Sequence, residues 1–380
     1  MAELNETPRG NRIHIAFFGL RNAGKSTLVN AFTGQRIAIV SDVPGTTTDP
    51  VSKAMEILPL GPCLVTDTAG LDDEGELGEM RVEKTLKVLE STDIAVWIGS
   101  GFDKWRSRFN VPVIEYRRGD SVEELKKKIA AVKLEEKVPG LLDGLVEKGD
   151  RVLCVVPIDE SAPKGRLILP QQQVIRECLD KHVICTVCQV DGLGCLESLG
   201  GLGGFNLVIT DSQAFGEVER ALQTFQTSKP SKHPKLTSFS ILFARQKGDL
   251  QEFVTGLKAV GSLKDGDTVL VAEGCTHHRQ CNDIGAVKIP KALEKLSGKK
   301  LKFEFASGGT FMDVGAAGVR ALPKLIVHCG GCMLTRREML RRIARTKEAG
   351  VPIVNYGLVL AMANGLGLES LEGLGGLEGG

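Results

Sequence analysis

The sequence predicts an α/β fold, a first domain built on a parallel sheet followed by two smaller α/β domains, also with parallel sheets. Three observations carry that prediction. Short apolar runs alternate with helical stretches through most of the 380 residues, the βαβ pattern of a parallel sheet. The first run, Ile13 to Phe18, leads directly into a glycine-rich phosphate loop. Two connectors, a charged one over Lys133 to Gly149 and a Ser/Pro/Lys one over Thr227 to Pro234, divide the chain into 1–135, 136–232 and 233–380. A chain of this length exceeds one ordinary core.

Composition excludes several classes of function. The formal net charge is +1 with both signs mixed, so no basic field is available for nucleic acid or an anionic membrane. No segment reaches the roughly eighteen unbroken apolar residues of a membrane span. Met1 to Asn11 is polar and does not read as a signal peptide. Ten cysteines, half of them dispersed in apolar strand-like runs, suit a reducing cytoplasm, with thiols free or on metal, rather than a secreted disulfide framework.

In the first domain, Gly19-Leu-Arg-Asn22-Ala23-Gly24-Lys25-Ser26-Thr27 is G-x-x-x-x-G-K-S between a strand and a helix, the context the motif requires. Its glycines let backbone N–H groups wrap phosphates, the helix N-terminus adds partial positive charge, Lys25 reaches the terminal phosphates and Ser26 faces Mg²⁺. A second apolar strand, Cys63 to Thr66, ends in Asp67-Thr-Ala-Gly70. There a carboxylate can hold Mg²⁺ through water and Gly70 can offer its N–H to a γ-phosphate. Between them, Asp42 to Asp49 is a hydroxyl-rich loop, and Asp72 to Gly78 reads as an acidic, mobile segment.

This set resembles the translation-factor-related GTPases that include the tRNA-modifying GTPases. The resemblance implies GTP as ligand, Asn22 as a K⁺ ligand, and Thr47 beside Ser26 on Mg²⁺. Lys25, Thr47 and Asp67 then carry hydrolysis. Leu71 stands where a catalytic glutamine is placed in Ras-like relatives, which implies slow, potassium-assisted turnover. The guanine-reading sequence Asn-Lys-x-Asp occurs nowhere in the chain. After Ile94 to Ile98 only Gly99 to Asn110 precede the next strand, Val111 to Tyr116, and its helix Ser121 to Val132, so the base-reading piece reads as lost.

The middle domain reads as a βαβ unit: strand Arg151 to Val156, helix Pro170 to Leu179, strand Val183 to Val190, with another strand at Leu207 to Thr210. So few helices leave an edge or face of the sheet uncovered, and such an edge calls for a partner. Cys185 and Cys188, three apart on a strand, face opposite ways and read as core packing. The glycine-leucine run Gly192 to Gly204 reads as a loop.

In the last domain, strands are expected at Asp267 to Ala272, Leu301 to Phe305, Leu325 to His328 and Val351 to Val354, with helices at Pro290 to Leu296 and Thr335 to Ala349. Cys275-Thr-His277 and His328-Cys329-Gly-Gly-Cys332 therefore sit at the carboxyl ends of two strands, where α/β sheets place ligands. Glycines between Cys329 and Cys332 let two thiolates turn to one metal centre. Cys275 could supply a third thiolate; an iron–sulfur cubane normally takes four cysteines, so three plus a histidine would leave one iron weakly or exchangeably ligated. Arg336, Arg337, Arg341 and Arg342 read as a basic face, a solvated helix surface with a docking patch as the alternative.

Joined to the phosphate loop, these motifs and the Phe239 to Asp249 run are similar to the HydF family, the maturation GTPases of the iron-only (FeFe) hydrogenases, over nearly the whole chain. That resemblance implies a homodimer through the middle domain and a 4Fe-4S cluster on Cys275, Cys329 and Cys332. His277 and His328 belong to the same signature, and Cys281 is an alternative fourth ligand. It further implies a diiron precursor as cargo, radical-SAM maturases as its source and apo (FeFe)-hydrogenase as its destination. Two other readings stand beside it: a nucleotide-gated iron–sulfur redox enzyme, which lacks a visible general base, and a tRNA-modifying GTPase, which the flat charge balance disfavours.

Overall fold

A computed structural model describes residues 7–34, 50–134, 138–158, 167–199, 201–228, 234–274, 283–308, 311 and 322–365. The chain forms two compact units, 1–137 and 138–380. Thr47, Cys275, His277 and Cys281 lie outside the described residues.

The first unit is a five-stranded sheet. In chain order its elements are β1 (Ile13–Gly19), α1 (Lys25–Thr33), β2 (Val51–Ile57), β3 (Gly61–Asp67), α2 (Glu76–Ser91), β4 (Ile94–Ile98), β5 (Val113–Tyr116) and α3 (Val122–Ala130), with strand order β2-β3-β1-β4-β5. The near-continuous apolar run of β1 follows from its central place, because both faces of the strand are covered. Ile15 and Phe17 enter the core with Phe32 and Val65, while Ala16 and Phe18 enter the opposite core with Trp97 and Leu71.

β2 pairs antiparallel to β3 while the other pairs are parallel. It is absent from the sequence expectation for a physical reason: an edge strand with Ser52 and Lys53 exposed carries little apolar signal. The short stretch after β4 is two 3₁₀ turns. Their Phe102, with Phe109 just after them, stacks on Trp97 at centroid distances of 5.3 and 5.9 Å. That aromatic cluster seals the gap, and β5 pairs directly with β4 from Ala95↔Val113 to Ile98↔Tyr116.

The second unit holds two four-stranded sheets, each wholly parallel. The first is formed by β6 (Arg151–Val155), α4 (Leu169–Asp180), β7 (Ile184–Cys188), β8 (Leu207–Thr210), α5 (Phe215–Ser228) and β9 (Lys235–Ser238), in strand order β7-β6-β8-β9. β9 falls after the sequence division at 232, yet it hydrogen-bonds to β8. α6 (Phe239–Lys247) follows it at once and is almost fully buried, giving Phe239 and Phe243 to one core and Ile241 and Ala244 to the next. Cys185 packs on the face that holds Cys154 and Cys178, and Cys188 on the other.

The second sheet comprises α7 (Leu250–Ala259), β10 (Thr268–Glu273), α8 (Ile289–Ser297), β11 (Lys302–Ser307), β12 (Leu325–His328), α9 (Arg336–Glu348), β13 (Ile353–Asn355) and α10 (Tyr356–Ala363), in order β11-β10-β12-β13. The expected strands and helices of this region are all present to within a few residues. Among the described residues no helix is long and apolar enough to cross a membrane.

Candidate functional site

The phosphate loop grows out of the end of β1. Gly19 must be glycine because a Cβ there would stand 2.7 Å from the Ile98 carbonyl oxygen. Asn22 takes a left-handed φ of 58°, a conformation that costs most residues energy but suits asparagine. Gly24 precedes α1, and Lys25 opens the helix with its ammonium curled back to donate to Leu20 O at 2.8 Å and Gly19 O at 3.3 Å. Burial lowers the Lys25 pKa, opposed by the carboxylates of Asp67, Asp72 and Asp73.

β1 and β3 bring Ser26 and Asp67 together. Ser26 Oγ donates to Asp67 Oδ2 at 2.6 Å, while Asp67 is fully buried and its Oδ1 has no hydrogen-bond partner. Burial pushes the Asp67 pKa up, against the bond from Ser26 and the charge of Lys25. An orphaned carboxylate oxygen beside a serine hydroxyl and a buried lysine suits a divalent cation with phosphate. Gly70 backs onto Arg21, with room for no side chain: a Cβ would lie 2.9 Å from Arg21 N. The acidic segment expected to be mobile is partly anchored here, since Arg21 N–H donates to Asp72 Oδ1 and Asp73 sits 3.8 Å from both Arg21 and Arg81.

The second site forms where β10 and β12 end side by side, Ala272 in register with His328. Cys329 N–H donates to Ala272 O at 2.9 Å, and Gly274 N–H donates to Cys329 Sγ at 3.2 Å. Cys275 is the next residue after Gly274. Gly331 turns the chain at φ 65°, and a Cβ there would collide with Met339 at 2.4 Å. Cys332 follows, its thiol pushed up by burial and drawn back by Lys247.

Lys247 of α6 is itself buried and donates to Cys332 O at 2.9 Å and Leu334 O at 2.7 Å. Burial lowers its pKa to about 8. Among the described residues no three His, Cys, Asp or Glu side chains form a metal site. Cys329 and Cys332 are the two expected sulfur ligands that the described residues include.

His328, expected among the metal residues, is placed differently. It is fully buried, Nδ1 is 2.8 Å from Cys329 O, and Nε2 is 3.0 Å from Arg342 Nη1. Because the guanidinium only donates, Nε2 accepts and Nδ1 carries the proton. Both ring nitrogens are thus engaged within the protein, and neither offers a lone pair to iron in this arrangement. Burial and then Arg342 bring its pKa down to about 3. Arg342 in turn donates to Gly308 O and to Glu338, and lies 4.9 Å over Phe311.

The basic face expected on α9 therefore turns partly inward. Arg342 is 5% exposed, and Arg336 donates to Gln246 O at 2.6 Å and Gly248 O at 3.2 Å. Its spacing from buried Met339, Ile343 and Thr346 is the available signal, because those positions share one helix face.

Residues 141–248 match the family model described as the hydrogen maturase F dimerization domain, and 251–372 match its tetramerization domain. The chain belongs to the hydrogen maturase F family. Residues 14–140 match the 50S ribosome-binding GTPase model, so the first unit is a GTPase domain. Two of the three matched domains are self-association domains, and the first of them contains β6 through α6.

The curated relatives cover the HydF-type chain only in part. The tRNA modification GTPase MnmE of Zymomonas mobilis is 30% identical over 174 residues, 44% of this chain and 38% of the relative. GTPase Der of Campylobacter hominis is 41% identical over 87 residues, 23% of this chain and 19% of its own length. The chain thus spans well under half the length of either. Among solved structures, Aquifex aeolicus Era bound to GDP and aluminium fluoride aligns with a TM-score of 0.25 at 16% identity, covering 81% of this chain and 99% of Era.

Proposed function

We propose that this HydF-type GTPase is a scaffold and carrier for hydrogenase maturation. Cys275, Cys329 and Cys332 hold a 4Fe-4S cluster, and the protein accepts a diiron precursor from radical-SAM maturases and delivers it to apo (FeFe)-hydrogenase. The observation that carries this reading is the juxtaposition of the β10 and β12 ends, with Gly274 N–H on Cys329 Sγ at 3.2 Å. An N–H aimed at sulfur favours thiolate over thiol, and the residue after Gly274 is the third cysteine. The cluster supplies an iron with an exchangeable position at which cargo binds and leaves.

The chain's own residues divide the work. Cys329 and Cys332 present sulfur from a turn fixed by Gly331. His328, locked between Cys329 O and Arg342, holds the start of that turn from behind. His277 or Cys281 remains available to complete the iron coordination or to yield to cargo.

In the GTPase domain GTP with Mg²⁺ sits on Gly19, Asn22, Ala23, Gly24, Lys25, Ser26 and Thr27. Asp67 and Thr47 complete the metal shell, and Asn22 provides for K⁺. Assembly uses β7, an edge strand whose Ile184 and Val187 are 56% and 44% exposed; a second copy adding its own edge satisfies the open ladder.

Anaerobic reconstitution tests the reading. The full chain takes up iron and sulfide as a cubane with an EPR signal on reduction, and that signal changes when a synthetic diiron complex is added. A folded chain that takes up no iron contradicts the proposal.

A further inference from the structure

Helix α6 lies in the stretch Phe239 to Asp249, which the sequence singles out without giving it a task. Its last residue, Lys247, is 1% exposed. A buried ammonium is costly unless something answers its charge. Its hydrogen bonds end on two main-chain carbonyls, Cys332 O and Leu334 O, rather than on a carboxylate. Its ring neighbour is Phe243, 5.4 Å away. Of the titratable groups that act on its charge, the Cys332 sulfur comes first and Glu338 second, and Glu338 already pairs with Arg342 at 3.1 Å. The cation is therefore built against the sulfur-bearing turn.

We propose that Lys247 is a positioning residue that clamps the Cys332 to Leu334 turn, and that its buried charge raises the reduction potential of the cluster held there. The inference rests on the cluster reading above. One electron from an external reductant adds one negative charge to the site. A fixed cation in a medium of low polarity favours that added charge. An uncharged side chain gives no such help, even one that still donates to both carbonyls.

The test uses the full chain, reconstituted anaerobically, as wild type and as Lys247→Met, Lys247→Gln and Lys247→Arg. Iron per chain, thermal melting of the apo-protein, and the midpoint potential from a dithionite titration followed by EPR are measured. The expected result is a more negative midpoint in Lys247→Met and Lys247→Gln, and a near wild-type midpoint in Lys247→Arg. If Lys247→Met does not fold, Lys247→Gln is read in its place. Unchanged midpoints in the neutral variants overturn the proposal, and so does lower iron content in all three variants with an unchanged midpoint. Failure of the wild type itself to take up iron removes the cluster reading instead, and this inference with it.

Discussion

The phosphate loop and the sulfur turn are built on opposite plans. In the first unit, Gly19 to Ser26 form one contiguous segment, and among the described residues Asp67 and Gly70 join it from elsewhere. In the second, the end of β10, the end of β12 and the end of α6 meet from three separate parts of the sequence. A site made of adjacent residues tolerates change in its surroundings, because backbone amides do the binding. A site assembled across strands depends on register and on the side chains that pin it. The two should therefore fail separately and by different means.

The largest expected effect is on the sulfur turn. Cys329→Ser removes iron uptake while leaving the secondary structure of the apo-protein intact, since a hydroxyl is a poor iron ligand; iron analysis and circular dichroism check both halves. Retained iron breaks the ligand assignment. Next, Lys25→Ala lowers nucleotide hydrolysis by roughly 10²–10³-fold, the loss typical of one preorganised charge. Iron content stays at wild type, and a fall in iron would show that the two sites are not separable.

A smaller effect probes the pinning of the turn. His328 has a pKa of about 3 against an ordinary 6.5. The unfolded chain gains a proton below about pH 6.5 that the folded chain accepts only near pH 3, so stability falls as pH drops through that window. Denaturation of the apo-protein should show a slope of up to ~1.4 kcal/mol per pH unit from this group. His328→Gln flattens the slope and costs about 1–3 kcal/mol at neutral pH through lost buried hydrogen bonds, yet still binds iron. A variant that folds but loses its cluster would make His328 a ligand after all.

The smallest effect concerns the base. With β5 paired directly to β4 and no Asn-Lys-x-Asp in the chain, affinities for GTP and ATP should differ by less than about tenfold, or ~1.4 kcal/mol. Strong preference for GTP in a competition assay would mean that other residues read guanine.

What the sequence made legible follows the same division. The phosphate loop, the parallel strands and the cysteines at strand ends are local patterns, and all could be read. β2 could not, because its edge position leaves Ser52 and Lys53 in solvent and breaks the apolar signal. β9 reads as the start of a new domain until its pairing with β8 is seen. Arg342 reads as a solvated charge and Lys247 is given no task, because composition does not reveal which cations a fold turns inward. The carbonyls of Cys332 and Leu334 give Lys247 its role, and the imidazole of His328 gives Arg342 its own.

A cubane on this turn requires Cys275 to join Cys329 and Cys332 at one centre. Iron stoichiometry and the EPR spectrum of reconstituted Cys275→Ser, set beside Cys281→Ser, test it most directly. Cys275→Ser is expected to lose the cluster while Cys281→Ser keeps it. A Cys275→Ser protein with full iron and an unchanged spectrum would contradict it.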